Sequence, residues 1–525
     1  MLTHLKYTTP IVQSEPGTAK IDGEEVYPCT PTLLKRLGFT ESILNKYTEL
    51  HKQKLNPSCI VTKELRDYQK QDALFLANRK CAGCFNQQRT GKTPTICEVV
   101  NIKKFKKVLI VCPSSLVLDW KQEFTRWTRL DCIAIQGTIK KKQELLEHWT
   151  QGAVISYESL REVFHKKESE DGIIELTKTG MLNAILKHKD IECVIVDEAH
   201  RIANRKTAQA AAVFSLCKIP NRYALTGTPA ISKQEDIFSI LHFLFPTIFS
   251  SYWRFIDYYF NKREVFVTRT RKKMEITGLR WDKTKELQEF LDAIATQRKR
   301  KDVMEWLPDK EYHTIKLEPT KEQFKYLAEL DANFETEDLI TINVLDNLIK
   351  ERQICLSPLL VGLKGNSPKL EWLQNYIKDY PDKSILIFSK FTKWLELLNK
   401  ELPGCEMITG NVSYADRKRI CEQFQNGNIK RLLINIDAGK EGLTLDKAEA
   451  SIFTDKYPPV GVLEQAEDRF VATKEELAHK EHIIYSLIMQ QTYEENIEES
   501  ITHKLKETDL INDYQKYLER RSHVQ

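Results

Sequence analysis

Residues 81–93 read CAGCFNQQRTGKT, which is a short apolar run followed by a turn and then by a helical segment. Gly91 lets the backbone approach a phosphate, and the N-terminus of the following helix favours negative charge. Lys92 can reach the β- and γ-phosphates of a nucleotide, and the Thr93 hydroxyl can ligate Mg²⁺. Arg89 stands where such loops usually carry their first glycine. The strand–loop–helix order predicts a phosphate site.

Short apolar runs alternate with helix-length segments downstream of this loop. The runs lie at 108–112, 153–157, 193–197 and 223–227, and again at 385–388, 406–409, 432–435, 451–455 and 482–488. Such alternation indicates parallel sheets that are covered by helices on both faces. The sequence therefore predicts an α/β fold with two lobes of similar design, joined by a helical insert.

Changes of pattern along the chain predict five segments. They are an N-terminal accessory region (1–60), a first α/β lobe with the phosphate site (61–245), a helical insert (246–365), a second α/β lobe (366–490) and a C-terminal helix (491–525). The aromatic string SYWRFIDYYF at 251–260 could stack on bases. The number and spacing of its rings favour a position in the packed core of the insert over base stacking.

The overall composition is that of a globular protein. Of 525 residues, 41% are hydrophobic and 29% are charged, which excludes a mostly disordered chain. No apolar run is long enough to span a bilayer, the N-terminus lacks the pattern of a secretory signal, and the 12 scattered cysteines are typical of a reducing compartment. We therefore expect a protein without membrane association.

The charge of the chain is unevenly distributed. Lys and Arg number 79 and Asp and Glu number 74, a net charge of +5, but residues 262–301 hold 13 basic and 6 acidic residues, a local excess of +7. A basic stretch of this kind suits a nucleic-acid backbone. The alternative is a solvated helical surface.

A second candidate site follows the apolar run at 193–197. The string VIVDEAH ends a predicted strand with Asp197 and Glu198, at the edge where open α/β sheets bind ligands. Asp197 would hold Mg²⁺ through water, and Glu198 would orient and deprotonate an attacking water. A pair of solvated acids is the alternative, but the phosphate loop upstream favours a nucleotide site.

Together with further strings, these motifs resemble the Swi/Snf-like group of superfamily-two helicases and translocases, in order from about 61 to 505. The strings are LRDYQ (65–69), LIVCPSSLVLDWKQEFTRW (109–127), VIVDEAHRIAN (194–204), LTGTPA (225–230), QRKRKDVMEWLPDK (297–310), ILIFSKF (385–391), INIDAGKEGLTL (434–445), QAEDR (465–469) and TYEENIEESI (492–501). The resemblance implies two RecA-like lobes with ATP and Mg²⁺ in the cleft that they share.

The resemblance also implies roles for individual residues. Gln69 would contact the adenine, and Arg469 would supply the cation that stabilises charge on the transferred phosphoryl group. The remaining nucleotide-binding positions would be Arg66, Arg89, Thr90, Gly91, Lys92, Thr93, Gly442 and Gln465. The positions that couple hydrolysis to movement would be His200, Thr226, Gly227 and Thr228. The DNA-binding positions would be Pro113, Ser114, Trp120, Arg298 and Lys390.

One departure from the group concerns the arginine motif. The group carries a second arginine three residues after the first, and this chain has Ala472 there. An arginine finger is worth about 10³-fold or more in rate. Either Arg469 acts alone, another residue substitutes, or hydrolysis is slow.

Three functions are compatible with these motifs. The first is an ATP-driven motor that translocates on duplex or branched DNA with little sequence specificity, because contacts to phosphates carry no sequence information. The second is a strand-separating or branch-migrating helicase, and the third is an ATP-gated DNA clamp with little turnover. The strings at 109–127 and 297–310 favour DNA over RNA. Without a recognisable appended reader, nuclease or zinc module, we expect a compact replication, repair or recombination factor of bacterial or viral type. It would act in the cytoplasm, with a nuclear location left open.

Overall fold

The protein forms two compact units, Met1–Val303 and Met304–Gln525. The computed structural model describes residues 59–161, 180–229, 233–266, 272–304, 310–333, 344–439, 445–456 and 482–502, with short segments at 6–7, 19–21, 24–26, 167–168, 174–175, 306, 335–336, 339–340, 463 and 466–467. Within these residues, no helix has the length and apolar character needed to cross a membrane.

The first unit contains fourteen strands and eleven α-helices in its described residues. The strands are β1 (Lys6–Tyr7), β2 (Ala19–Ile21), β3 (Glu24–Val26), β4 (Cys81–Cys84), β5 (Val108–Cys112), β6 (Cys132–Ile135), β7 (Gly152–Ser156), β8 (Lys167–Glu168), β9 (Ile174–Glu175), β10 (Cys193–Asp197), β11 (Asn221–Leu225), β12 (Phe260–Phe266), β13 (Lys272–Leu279) and β14 (Ala295–Thr296). The helices are α1 (Asp67–Ala77), α2 (Lys92–Lys103), α3 (Val117–Thr128), α4 (Ile139–Glu147), α5 (Tyr157–Leu160), α6 (Met181–Leu186), α7 (Ala208–Phe214), α8 (Ile237–Leu244), α9 (Tyr252–Tyr259), α10 (Trp281–Ile294) and α11 (Arg300–Val303).

The main sheet of the first unit has seven parallel strands in the order β14-β4-β11-β10-β5-β7-β6. Successive residues of β5 and β10 belong to different hydrophobic clusters. Leu109 and Val194 join the cluster that contains α8 to α10, whereas Ile110 and Ile195 join the cluster that contains α1 to α3. The sheet is therefore buried on both faces, which is why its strands read as near-continuous apolar runs.

The second unit contains the remaining eight strands and seven helices of the described residues. The strands are β15 (Lys310–Leu317), β16 (Glu335–Thr336), β17 (Leu339–Ile340), β18 (Ile385–Ser389), β19 (Cys405–Ile408), β20 (Arg431–Asn435), β21 (Ala450–Phe453) and β22 (His482–Met489). The helices are α12 (Lys321–Asn333), α13 (Val344–Leu356), α14 (Pro368–Asp379), α15 (Thr392–Glu401), α16 (Tyr414–Gln425), α17 (Ile436–Gly439) and α18 (Tyr493–Thr502).

The main sheet of the second unit has six parallel strands in the order β15-β22-β21-β18-β20-β19. In β18, Leu386 and Phe388 face one hydrophobic cluster, and Ile385 and Ile387 face another. Both units are thus α/β layers around a parallel sheet. This confirms the predicted fold class.

The segment 246–365, which is predicted as one helical insert, is divided between the two units. Its first part contributes α9 and α10 to the core of the first unit, and β14 to the edge of that unit's sheet. Its second part contributes β15 to the sheet of the second unit. The first part of the segment also contains the antiparallel hairpin β12–β13. The hairpin strands carry many charged residues and no continuous apolar run, so in the sequence they look like a polar helical segment.

The aromatic string at 251–260 packs in the core of the first unit. Phe255, Tyr259 and Phe260 are buried there, whereas Trp253 is 55% exposed. The prediction that these rings form a core is confirmed for the three buried residues. The core that they join is that of the first sheet.

Candidate functional site

The phosphate loop connects β4 to α2 and places Gly91 directly before the helix. Gly91 has φ 77° and ψ 46°, the left-handed conformation that glycine adopts easily. A Cβ atom at this position would lie 2.1 Å from Gln69 Nε2. Glycine is therefore required here both by the backbone conformation and by the close approach of α1.

Arg89, two residues earlier, has φ 67°. A residue with a Cβ atom is strained in this left-handed region by about 1–2 kcal/mol. This explains why comparable loops carry a glycine at this point. The chain keeps the same turn with an arginine.

The N-terminus of α1 contacts the loop through Gln69. Its Oε1 accepts from the Arg66 main-chain N–H at 2.9 Å, and its Nε2 donates to the Thr90 carbonyl at 3.1 Å. The Tyr68 hydroxyl donates to the same carbonyl at 2.9 Å. The predicted nucleotide-binding residues Arg66, Gln69, Thr90 and Gly91 are thus brought together.

Lys92 begins α2 and turns back into the loop. Its Nζ donates to the carbonyls of Asn86 at 3.1 Å and Gln87 at 3.3 Å. Thr93, the predicted metal ligand, is the next residue of the helix and is half-buried. The ammonium group therefore lies inside the turn of the phosphate loop.

Asp197 ends β10 and is buried. Burial and the neighbouring Glu198 carboxylate raise the pKa of Asp197 to about 6, while Trp120 and the Lys92 charge act to lower it. The phosphate loop follows β4 and the acidic pair lies at the end of β10, and both strands pair in parallel with β11, so the loop and the pair lie at the same edge of the sheet. Asp197 and Lys92, which lie far apart in the sequence, are thereby brought together.

Trp120 is a correction to the predicted DNA contacts. Its side chain is only 3% exposed, and its Nε1–H donates to Asp197 Oδ2 at 2.7 Å. A buried indole has no surface for DNA. Trp120 instead orients the carboxylate that the sequence assigns to Mg²⁺.

Glu198 follows in a strained conformation with φ 48° and ψ 50°. Its Oε2 lies 3.3 Å from His200 Nδ1, and the same ring nitrogen lies 3.1 Å from Thr226 Oγ1. Thr226 Oγ1 also accepts from the Thr228 main-chain N–H at 3.2 Å. These contacts form a continuous path from the acidic pair to the LTGT segment after β11.

The LTGT segment also packs directly on the phosphate loop. A Cβ atom on Gly227 would lie 3.1 Å from both the N and the Cγ atoms of Gln88. Gln88 is 8% exposed, and within the described part of the chain neither its Nε2 nor its Oε1 has a hydrogen-bond partner. A buried amide of this kind is suited to the polar groups of a ligand.

The other predicted DNA contacts lie in different surroundings. Pro113 is buried before the 3₁₀ helix Ser114–Leu116, and Ser114 is exposed. Arg298 forms an ion pair with Asp72 at 2.8 Å, and Lys390, in the second unit, forms one with Asp437 at 2.6 Å. The predicted residues Gly442, Gln465 and Arg469 and the substituted position Ala472 lie outside the described residues.

The family of the chain follows from its similarity to known proteins. A family model described as an SNF2-related domain matches residues 13–360, well over half of the chain. This chain belongs to the SNF2-related family. A second model, described as a helicase conserved C-terminal domain, matches residues 368–472. This pair of domains is that of a DNA-dependent ATPase of helicase superfamily two, so the predicted family and enzyme class are confirmed.

Named relatives of this SNF2-related chain are considerably longer. Chromodomain-helicase-DNA-binding protein 8 of Xenopus tropicalis is 26% identical over 522 residues, which cover 90% of this chain and 22% of that protein. The ISWI chromatin-remodeling complex ATPase ISW1 of Saccharomyces cerevisiae is 25% identical over 500 residues, which cover 86% of this chain and 41% of that protein. The chain thus spans about a fifth of the first relative and about two fifths of the second. Both are eukaryotic, so the bacterial or viral setting stays a prediction.

Among solved structures, the SWI2/SNF2 ATPase core of Sulfolobus solfataricus in complex with dsDNA is similar to this chain. The two are 24% identical, with a TM-score of 0.39, and the match covers 86% of this chain and 93% of that one.

Three residues of the SNF2-related site were not predicted from the sequence. Asn86 and Gln88 are buried within the phosphate loop, and Asp72 is buried beside it. Gln88 lies within the motif of the phosphate loop, so its position in the sequence could have indicated a role at the site. A single aspartate in a polar helix is most often solvated, and Asp72 gave no signal of its own.

Proposed function

We propose that this chain is an ATP-driven motor that binds ATP at the phosphate loop of its first unit and uses hydrolysis to move along duplex or branched DNA. The observation that carries the proposal is the convergence of Lys92, Asp197 and Glu198, with His200 and Thr226 next to them. The convergence of separate sequence motifs at one edge of the first sheet supports a nucleotide site there.

The residues present at this site fit a magnesium nucleotide. Lys92 offers an ammonium group inside a tight glycine-containing turn, at the N-terminus of a helix whose dipole favours anions. Thr93 and Asp197 would hold the metal. When bound, Mg²⁺ neutralises charge on the phosphate oxygens. The amide of Gln88, which has no hydrogen-bond partner among the residues that the structure describes, supports a polar ligand beside the loop.

Glu198 would orient the attacking water and accept its proton. Its carboxylate is 13% exposed and is held near His200 by a backbone in the left-handed region. Strained backbone of this kind often accompanies function. A change in the position or protonation of Glu198 would then pass through His200 to Thr226, Gly227 and Thr228.

The second unit would supply the cation for the transferred phosphoryl group. Arg469 is the proposed donor, on the resemblance of QAEDR at 465–469 to the arginine motif of the family. Gly442 and Gln465 would face the nucleotide from the same unit. The flanking segments 1–60 and 491–525 belong to this same proposal, and the lobes extend beyond 61–245 and 366–490, because β14 pairs in the first sheet and β15 in the second.

The proposed track is DNA. The family and the name of the chromodomain relative support a DNA partner. The basic excess of residues 262–301 supports contact with a phosphate backbone, and we propose Ser114 and Lys390 as further contacts. Contacts to phosphates give little sequence specificity.

ATP hydrolysis measured with and without duplex DNA tests this function. The unaltered chain should hydrolyse ATP faster with DNA, and Lys92→Ala should abolish turnover because it removes the phosphate-binding charge and no core volume. Lys140→Ala is the matched control, since Lys140 is an exposed lysine on α4. Hydrolysis by Lys92→Ala equal to that of the control would show that the phosphate site is misplaced.

A panel of forked, Holliday-type and blunt DNA separates the two motor functions. Release of a strand from forked or branched DNA would favour a strand-separating or branch-migrating helicase. ATP-dependent movement without strand release would favour a translocase. If DNA binding depends on ATP while hydrolysis is not stimulated, the chain is a clamp and the proposed motor is wrong.

A further inference from the structure

Arg298 belongs to a charged network that leads to the phosphate loop. Its Nε and Nη2 atoms donate to Asp72 Oδ1 at 3.0 and 2.8 Å, and Asp72 Oδ2 accepts from Asn86 Nδ2 at 2.8 Å. The Asn86 carbonyl accepts from Lys92 Nζ at 3.1 Å. From these contacts we infer that Arg298 is a positioning residue of the phosphate loop. It acts through Asp72 and Asn86, and DNA is not its main partner.

The main chain around Arg298 is bonded to the same loop. β14 pairs in parallel with β4, and beyond this pairing the Phe85 N–H donates to the Thr296 carbonyl at 2.8 Å. The Gln87 N–H then donates to the Arg298 carbonyl at 2.9 Å. The Arg300 N–H donates to Gln87 Oε1 at 2.7 Å. The basic segment that begins at 297 therefore extends the sheet edge along the first half of the loop.

Burial makes this network sensitive to the loss of Arg298. Asp72 is 1% exposed, and burial raises its pKa while Arg298 and Asn86 act to lower it. Without the guanidinium, Asp72 would be a buried carboxylate with a single amide donor among these contacts. Such a group takes up a proton or moves toward water, and either change disturbs its bond to Asn86. Because the Asn86 carbonyl accepts a hydrogen bond from Lys92 Nζ, a shift of Asn86 should also move the loop lysine.

This inference rests on the proposed function for its effect on ATP, but the position of the loop can be measured without nucleotide. Hydrogen exchange of the full chain should show faster exchange of the 85–91 amides in Arg298→Gln than in the unaltered protein. Lys299→Gln is the matched control, because Lys299 is an exposed neighbour and its loss removes the same charge.

A second substitution tests whether the effect passes through Asp72. Asp72→Asn keeps an acceptor for Asn86 and removes the buried charge. We therefore expect the double variant Arg298→Gln/Asp72→Asn to restore slow exchange of the loop amides. A loss of folding unrelated to the buried charge would not be reversed in this way. Equal exchange in Arg298→Gln and the control, or no recovery in the double variant, would overturn the inference.

Nucleotide affinity gives the functional readout, with a fluorescent ATP analogue, Mg²⁺ and no DNA. Loss of a residue that supports a metal ligand typically weakens affinity about 10- to 100-fold, and we use the same range for a residue that supports a phosphate-binding loop. We expect that loss in Arg298→Gln, recovery in the double variant and no change in Lys299→Gln. If the unaltered chain binds no nucleotide, the proposed function fails, while the exchange experiment still decides the role of Arg298.

The salt dependence of duplex binding separates the two roles of Arg298. A residue that contacts a DNA phosphate contributes about one to the slope of log affinity against log salt. We expect Arg298→Gln to leave this slope unchanged. A slope reduced by about one, with nucleotide affinity and loop exchange unchanged, would make Arg298 a DNA contact and overturn the inference.

Discussion

Two buried aspartates beside the phosphate loop differ in their partners. Asp197 accepts from the neutral indole of Trp120, and Asp72 is paired with the guanidinium of Arg298. Burial is the largest influence on both carboxyl groups and raises the pKa of each. The negative charge of Asp197 is only partly compensated within the protein, because its hydrogen-bond donor Trp120 is neutral and the charge of Lys92 does not offset the effect of burial. It is therefore the one suited to a metal cation, whereas Asp72 already has a cation of its own.

The role of Arg469 is a prediction at the level of one residue. We expect Arg469→Ala to bind ATP with unchanged affinity and to lose about 10³-fold in turnover, the usual worth of an arginine finger. Steady-state hydrolysis and nucleotide titration measure the two quantities. Arg419→Ala, an exposed arginine on α16, is the control. Unchanged turnover in Arg469→Ala would place the cation elsewhere.

The 3₁₀ helix Ala199–Ile202 links two elements of the first sheet. It begins directly after the acidic pair at the end of β10, and its His200 contacts Thr226, which follows β11. The link is short, because β10 and β11 are neighbours in register, with Asp197 opposite Leu225. This arrangement lets a change at Glu198 reach the segment that packs on the phosphate loop.

His200→Ala should separate nucleotide binding from stimulation by DNA. In the described residues the imidazole contacts Glu198 and Thr226, so we expect the affinity for ATP to be nearly unchanged. Stimulation by DNA should fall by about fivefold or more, the lower range of measured coupling between sites. His148→Ala, an exposed histidine after α4, is the control. Full stimulation in His200→Ala would remove this helix from the coupling path.

Helices α14 and α18 of the second unit are joined by a buried ion pair. Lys369 is 0% exposed, and its Nζ donates to Glu494 Oε1 and Oε2 at 2.8 and 2.7 Å and to the Thr454 carbonyl at 2.7 Å. Burial raises the pKa of Glu494, and the Lys369 charge opposes the rise. The pair therefore fixes the last described helix against the second sheet.

Lys369→Met should destabilise the protein by about 3–5 kcal/mol at neutral pH, because it leaves a buried carboxylate without its cation. The substitution raises the pKa of Glu494 further, so the folded state binds a proton more tightly than the unfolded state does. The loss of stability should therefore shrink as the pH falls from 8 toward 5. Thermal unfolding at both pH values measures this, with the exposed Lys378→Met as control. A loss that grows at low pH would contradict the assignment.

At the scale of the whole molecule, strands were predictable where a parallel sheet buries them on both faces. The runs at 108–112 and 193–197 coincide with β5 and β10, because continuous apolar sequence is what such strands require. The hairpin β12–β13 was read as helical, because an exposed pair of strands has no apolar run to mark it. Local pattern thus identified the lobes better than the segment between them.

The site was predictable only as far as its motifs were local. The phosphate loop and the acidic pair are short strings, and β4, which precedes the loop, and β10, which ends at Asp197, belong to one sheet of the first unit. The bonds from Trp120 to Asp197 and from Arg298 to Asp72 join residues 77 and 226 positions apart. Such contacts depend on tertiary packing, which periodicity does not encode. This is why the buried side chain of Trp120 was predicted as a DNA contact.

Movement along DNA, driven by hydrolysis at the site of Lys92, Asp197 and Glu198, is the central claim. The most direct measurement is displacement of a third strand from a duplex with Mg²⁺ and ATP, by the unaltered chain and by Glu198→Gln. We expect the unaltered chain to displace the third strand, and Glu198→Gln to bind ATP and DNA without displacing it. Equal displacement by the two proteins, or none by an unaltered chain that hydrolyses ATP on DNA, would contradict the claim.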